Sequence, residues 1–448
     1  MAAICMSHYT LMTQDIKMYK ILDQNKRLNQ TNKSDILGSM WHSYNLDLLG
    51  NLGALRVSPR LILNTSGLDG LPWGFRFFDT KIWAGAGTLV YYGGADAYTT
   101  FTADGVATKS TDHTPDESDM EVFNQSLCVS TTDALMSKAS NGSGGGAWTA
   151  RGTALNTGTN HILSYFKKFD RLYYTDLESK IRSITTGWVE SASGDYFINL
   201  SAFDNSAYTI TCMKANSSHQ WIGILDKTKE GQNGKILAWD GISSTIDAEY
   251  KVGAQGVLAI IIDEKEDIPY AIDTLGRLLK FNRAGFQEVG RLPFSHKLLK
   301  IVNDVDNGDR PIHPNGMRLT KNGTIEVLVN NLQVDSTYEE NFNAGIYEFI
   351  PNGDGTYSCH HKWSPSLFAV GGSVTDYGAT LVSAVGAISS VNLYSTNANR
   401  NGTFMAGINY YTDATTVSSG IFYDDSNDLQ QKAGYFVTTK IFSSNITE

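Results

Sequence analysis

Ile268-Pro-Tyr-Ala-Ile-Asp-Thr-Leu-Gly-Arg-Leu-Leu-Lys-Phe-Asn-Arg-Ala-Gly-Phe-Gln-Glu-Val-Gly-Arg-Leu292 carries the rhythm that decides the fold. A strand, a tight polar turn, a second strand and a Gly turn follow one another. Working outward, Arg171–Ile184, continuing to Trp188, repeats the pattern toward the N-terminus, and Gly345–Trp363 repeats it toward the C-terminus. A β-rich unit recurring about every 40–55 residues predicts a propeller. The expected fold is therefore all-β: a single closed β-propeller of about seven blades, spanning 51–448, behind an N-terminal extension at 1–50.

The unit edges fall near 70–118, 119–160, 161–208, 209–256, 257–310, 311–382 and 383–442. Met120–Ser130 reads as a hairpin turning near Asn124, and Gln220–Leu225 and Gly234–Gly241 bracket a polar turn. No Trp-Asp or Kelch signature recurs at a fixed place. The strand near 52–63 is the natural partner for the last strand, 434–442, because a terminal strand that completes the final blade leaves fewer open edges. In the extension, Asp15 to Leu28 reads as a helix capped by Thr13.

Composition agrees with a β-rich body. Gly (42) and Tyr (22) are abundant, Pro (9) is scarce, and only 18% of residues are charged. The formal net charge is −10 and no Lys/Arg cluster stands out, which argues against direct nucleic-acid binding. The longest apolar run, Val257–Ile262, is too short to span a bilayer, so membrane insertion is not expected. The N-terminus lacks a basic-then-apolar signal pattern, which makes assembly in a cytoplasm the expectation. The four cysteines, at 5, 128, 212 and 359, fit no zinc spacing and read as isolated buried thiols.

Candidate sites are few. Asp304, Asp306 and Asp309 in Asp304-Val-Asp-Asn-Gly-Asp309 resemble half a calcium loop, but Asn315 stands where the twelfth-position Glu belongs. An exposed acidic turn is the better reading and Ca2+ the alternative; no other cofactor is expected. Asn352–Thr356 reads as a hairpin turn. Asn141–Trp148 is faintly similar to the Asp-box turn of sialidase-type propellers, with Ser143 in the Asp position, and reads better as a Gly-rich hairpin loop. His360 and His361 alternate across a strand and would not easily chelate one ion, and His313 stands alone between two prolines. Asp226, Asp240, Asp263 and Asp273 lie near strand ends, yet nothing marks a pair of them as glycosidase carboxylates. No nucleophile elbow, zinc helix or nucleotide fingerprint is present, and the chain reads as a non-enzyme.

With the body read, the chain resembles the divergent β-propeller proteins among the virion and tail components of tailed bacteriophages. The resemblance rests on the Asn/Ser/Thr/Gly-rich composition, the unequal units and the stretch Leu48–Asn64 leading into Pro72–Phe78. It implies a structural or host-adsorption role in the virion, most simply in the tail, after assembly in the host cytoplasm. The implied partners are other virion subunits, further copies in a symmetric homo-oligomer, and a host-surface glycan. No residue role carries over. The alternatives are a carbohydrate-active propeller enzyme or lectin, and a cellular scaffold. The segment 1–50, with Met12–Leu28 and Trp41, is the expected docking contact because it buries little on its own.

Overall fold

The structure is a computed structural model. It describes residues 40–44, 46–47, 56–57, 61–93, 101–107, 118–131, 134–140, 146–155, 161–177, 180–190, 198–199, 208–227, 233–292, 312–320, 323–329, 345–363, 382–388, 405–411, 417–424 and 435–438. The expected helix at 15–28 and the acidic stretch 304–309 lie outside them.

Runs of largely buried residues make many of the strands. In Lys180–Thr185 and Lys235–Trp239 a half-buried Lys opens a run of buried side chains, as expected where both faces of a sheet are covered. Tight hairpins join them. Asp79-Thr80 and Asn124-Gln125 both adopt positive φ at the two central positions, the mirror-image turn whose twist matches the strands it connects.

The fold is an all-β propeller. Its first sheet is an antiparallel meander of Pro72–Phe78, Lys81–Ala86, Leu89–Gly93 and Phe101–Ala107. The second runs from Met120–Phe123 to Trp148–Arg151, the third from Leu163–Phe166 to Ile198–Asn199, and the fourth from Tyr208–Ala215 to Ala248–Lys251. The fifth runs from Val257–Asp263 to Phe286–Arg291, and its second to fourth strands are the quoted segment. The sixth begins with Met317–Leu319, Ile325–Val329, Gly345–Pro351 and Tyr357–Trp363. The leading strands pack side by side, so they are the innermost strands of a ring.

Separate apolar clusters fill seams between neighbouring sheets. Trp73, Trp83, Met120 and Leu127 join the first sheet to the second, and Leu258, Tyr270, Val327 and Phe349 join the fifth to the sixth. Packing at Trp73 is tight enough to require Gly85 opposite it, where any Cβ would overlap the indole.

The two ends of the chain meet twice. Leu61–Ser66 pairs antiparallel with Val417–Asp424 and becomes the fourth strand of a further sheet, whose other strands are Val382–Ile388 and Met405–Tyr411. That sheet packs on the first through Phe75, Ile82, Met405 and Ile421, and Val382–Ile388 also lies against Ile325–Val329. Tyr435–Thr438 goes elsewhere: it pairs with Met40–Tyr44, which aligns parallel to Tyr357–Trp363. The expected pairing of 52–63 with 434–442 is thus corrected. Closure does use an N-terminal strand, but its partner is 417–424. The last strand instead extends the sixth sheet to six strands. Among the described residues the one helical turn is Lys167–Phe169, and no helix is long and apolar enough to cross a membrane.

Candidate functional site: the channel mouth and a buried charge row

The innermost strands all start at one end of the ring, here called the upper end. Asp119 stands there, immediately before Met120–Phe123. It is almost fully buried, at 4% exposure. One carboxylate oxygen accepts hydrogen bonds from the Met120 amide (2.8 Å) and from the Asn315 side-chain amide (3.0 Å); the other accepts from the Leu163 amide (3.0 Å). The Asp119 amide donates to Ser130 Oγ (2.7 Å), whose hydroxyl donates to the His161 carbonyl (2.7 Å). A carboxylate so surrounded by donors is well satisfied although buried.

Asn315 reaches this site from far away. It belongs to the turn before the sixth sheet, in which the Gly316 amide donates to the His313 carbonyl (2.7 Å) and the Asn315 amide donates to His313 Nδ1 (3.0 Å). Its side-chain amide also donates to the Trp73 carbonyl of the first sheet (3.1 Å).

Below the mouth, Arg76 of the first sheet pairs with Glu121 of the second at 3.2 Å, both partly exposed. Burial pushes the Glu121 carboxyl up, but Arg76, then Lys214 of the fourth sheet and the Val122 amide, outweigh it and hold the group below the usual range. An ionised, ion-paired carboxylate can accept hydrogen bonds but has no proton to donate at neutral pH.

The densest charged group lies inside the sixth sheet. Arg318 faces Glu326, Glu326 faces Glu348, and Glu348 faces His360 across successive strands. All four are buried. Arg318 Nε meets Glu326 Oε2 at 2.6 Å, while Lys362 Nζ bridges Glu326 (2.7 Å) and Glu348 (3.2 Å). Thr324 donates to Glu348 (2.9 Å), and His360 Nε2 sits 3.4 Å from its other oxygen. Burial opposes the charge on Glu326, but Arg318 and Lys362 overcome it and hold the carboxyl at about 2. Glu348 goes the other way: burial pushes it up more than Lys362 pulls it down. Burial, helped by Lys362, presses His360 down to about 3, so its imidazole is neutral at pH 7.

The structure disperses the acids considered from sequence. Asp226 and Asp273 end second strands at the upper end, whereas Asp240 directly follows a third strand and Asp263 ends a first strand at the opposite end. Each has local work. Asn233 donates to Asp226, and Arg277 ion-pairs with Asp273. Asp240 accepts from the Ile242 and Ser243 amides, and Asp263 from the Lys265 amide. His360 and His361 do point to opposite faces: one joins the charge row and the other meets the Tyr347 ring edge-to-face, with centroids 4.6 Å apart. Both are buried.

Asn352–Thr356 is a hairpin turn closed from the Asn352 amide to the Thr356 carbonyl (2.9 Å). The glycine-rich 141–148 stretch falls in sequence between the third and fourth strands of the second sheet, and its residues 141–145 lie outside the described residues. Within it the Gly146 carbonyl accepts from Lys138 (2.6 Å), and Trp148 donates to Asp104 (2.8 Å). Cys128, Cys212 and Cys359 are buried and not in disulfides. Among the described residues no group of three or more His, Cys, Asp or Glu could hold a metal ion. Asp304, Asp306 and Asp309 lie outside those residues.

Sequence reasoning passed over Arg76, Asp119 and Glu121, met Asn315 only as a missing calcium-loop Glu, and weighed His360 without Arg318, Glu326, Glu348 and Lys362 of the charge row. The row had a legible signal: Glu326 in Ile325-Glu-Val-Leu-Val329 and Glu348 in Ile346-Tyr-Glu-Phe-Ile350 are lone charges inside apolar strands. Asn315 and Asp119 had none, being 196 residues apart.

No family model matches the chain, and no curated protein matches it. Distant structural matches are to propellers of the WD40 type. They include Raptor from Chaetomium thermophilum at 9% identity and TM-score 0.46, over 84% of this chain and 30% of that one. The Cps50 (Swd1) β-propeller domain of Myceliophteria thermophila gives 9% identity and TM-score 0.46, over 81% of this chain and 99% of that one. A chain of a mitotic checkpoint complex gives 9% and 0.46, over 82% and 92%. This chain therefore spans less than a third of the Raptor chain's length.

Proposed function

We propose that this propeller is a structural or host-adsorption component of a bacteriophage particle, associated with the tail and acting through protein–protein contacts, with a host-surface glycan as a further ligand. In this reading the sheet of 382–424 with 61–66 is the seventh blade of the ring. The virion setting rests on the composition and the resemblance of Leu48–Asn64 and Pro72–Phe78. One structural observation supports the contact mode. Met40–Tyr44 runs beyond the fourth strand of the sixth sheet, so the chain before residue 40 joins the ring at its rim and not at its channel. A rim attachment suits an arm that grips a neighbouring subunit or a second copy, because it starts from the outer edge of a blade.

The test separates the arm from the strand. Deleting residues 1–39 spares Met40–Tyr44 and should leave the fold and melting temperature unchanged while abolishing incorporation into particles. Mass spectrometry of purified particles reads the outcome. Normal copy number of the truncated chain would refute docking by the arm, and absence of the full-length chain from particles would refute the virion assignment itself.

A further inference from the structure

We propose that the Ile312–Gly316 turn is a cross-channel brace that caps the upper mouth of the ring, with the Asn315 side chain as its bolt. The inference rests on connectivity. The turn leads into the sixth sheet, whereas the two acceptors of the Asn315 amide belong to the first and second sheets. The first sheet does not flank the sixth, since the sheet containing Val382–Ile388 packs between them. The second is one sheet further round. A single side chain can touch both only if the turn lies over the channel.

The chemistry of the bolt is specific. Asn315 Nδ2 carries two hydrogens, and both are used, on a neutral carbonyl and on a carboxylate. The same Asp119 oxygen also takes the Met120 amide, and its partner takes the Leu163 amide. Asp119 thus gathers donors from the second, third and sixth sheets into one buried point. The turn itself is stiff. Pro314 fixes one φ, the Gly316 amide closes back on His313, and the Leu328 amide of the sixth sheet holds the Gly316 carbonyl (2.8 Å). Ile312 is fully buried in the fifth-to-sixth seam and anchors the other end. The brace therefore ties distant sectors directly, without relying on the sheet that the chain termini close.

Hydrogen exchange tests this on the full chain. Asn315→Ala removes both donors, and Asn315→Asp keeps the size but sets an acceptor against a carboxylate and a carbonyl. The Met120 and Leu163 amides, which donate to Asp119, should exchange about tenfold faster in N315A and at least as fast again in N315D. Amides remote from the mouth, such as those of Ile222 and Leu237 in the fourth sheet, should keep their protection. Wild-type exchange at Met120 and Leu163 in both variants would overturn the brace. Faster exchange spread evenly over all sheets would overturn it too, since that marks general destabilisation and not an opened cap.

Discussion

His360 is a neutral imidazole sealed beside Glu348 and Lys362, and that burial has a pH signature. In the unfolded chain the ring takes up a proton near pH 6.5; in the folded chain it does so only near 3. Between those values the unfolded state binds more protons, so this group's contribution to stability falls as pH falls. From pH 7 to pH 5 the loss is about 2 kcal/mol at roughly 1.4 kcal/mol per unit. Glu348, with its raised carboxyl, works in the opposite sense over part of the same window, and Glu326 matters only below the ordinary carboxylate range. The comparison must therefore be between wild type and His360→Gln. Chemical denaturation at pH 7 and 5 should show the wild type losing about 2 kcal/mol more than the variant; parallel pH profiles would show that His360 is not held neutral. A second residue-scale prediction concerns Gly85. A Cβ there meets the Trp73 indole, which is fully buried and donates to the Gly87 carbonyl (3.1 Å), so it has little freedom to retreat. Gly85→Ala should cost about 1–3 kcal/mol by overpacking, read as a lower denaturation midpoint. An unchanged midpoint would mean that the seam is loose.

At the level of strands and sheets, local pattern carried much of the information. The sequence places unit edges at 70, 119, 161, 209, 257, 311 and 383. The corresponding strands begin at Pro72, Met120, Leu163, Tyr208, Val257, Met317 and Val382. Turn residues and alternation set those edges within each unit, so no distant information was needed. What failed was the choice between distant partners. Met40–Tyr44 contains Trp41, His42, Ser43 and Tyr44, with no sustained alternation to announce a strand. Only pairing on both sides makes it one. Likewise nothing local in Leu61–Ser66 says that Val417–Asp424 is its neighbour. Asp119 and Asn315 were illegible for the same reason, whereas the lone charges of the sixth sheet were visible and their meeting was not. The corrected pairing changes what truncation should do. A chain ending at Ala433 loses, among the described residues, only the outermost strand of the sixth sheet and should melt within a few degrees of wild type. A chain beginning at Gly67 bares the backbone edge of Val417–Asp424 and should melt lower and self-associate. Scanning calorimetry with light scattering distinguishes them, and the reverse order would refute the pairing.

On the scale of the whole molecule, the ring joins segments from opposite ends of the sequence, and this has a consequence in time. Leu61–Ser66 leaves the ribosome long before Val417–Asp424 exists. At about 5–20 residues per second the wait is roughly 20–70 seconds. During it the first sheets can form hairpin by hairpin, but Leu61–Ser66 has no partner strand to join. A waiting strand with open amides can pair with the wrong neighbour, including the same strand on another nascent chain of a polysome. Prematurely terminated chains would keep that hazard permanently, since their closing partner never arrives. Pulse-labelled synthesis followed by protease challenge should therefore show late acquisition of resistance, appearing only after the codons for residues 417–424 are translated and cleared from the exit tunnel. Early resistance of full-ring character, before those residues emerge, would mean that the ring can hold itself shut without its final seam.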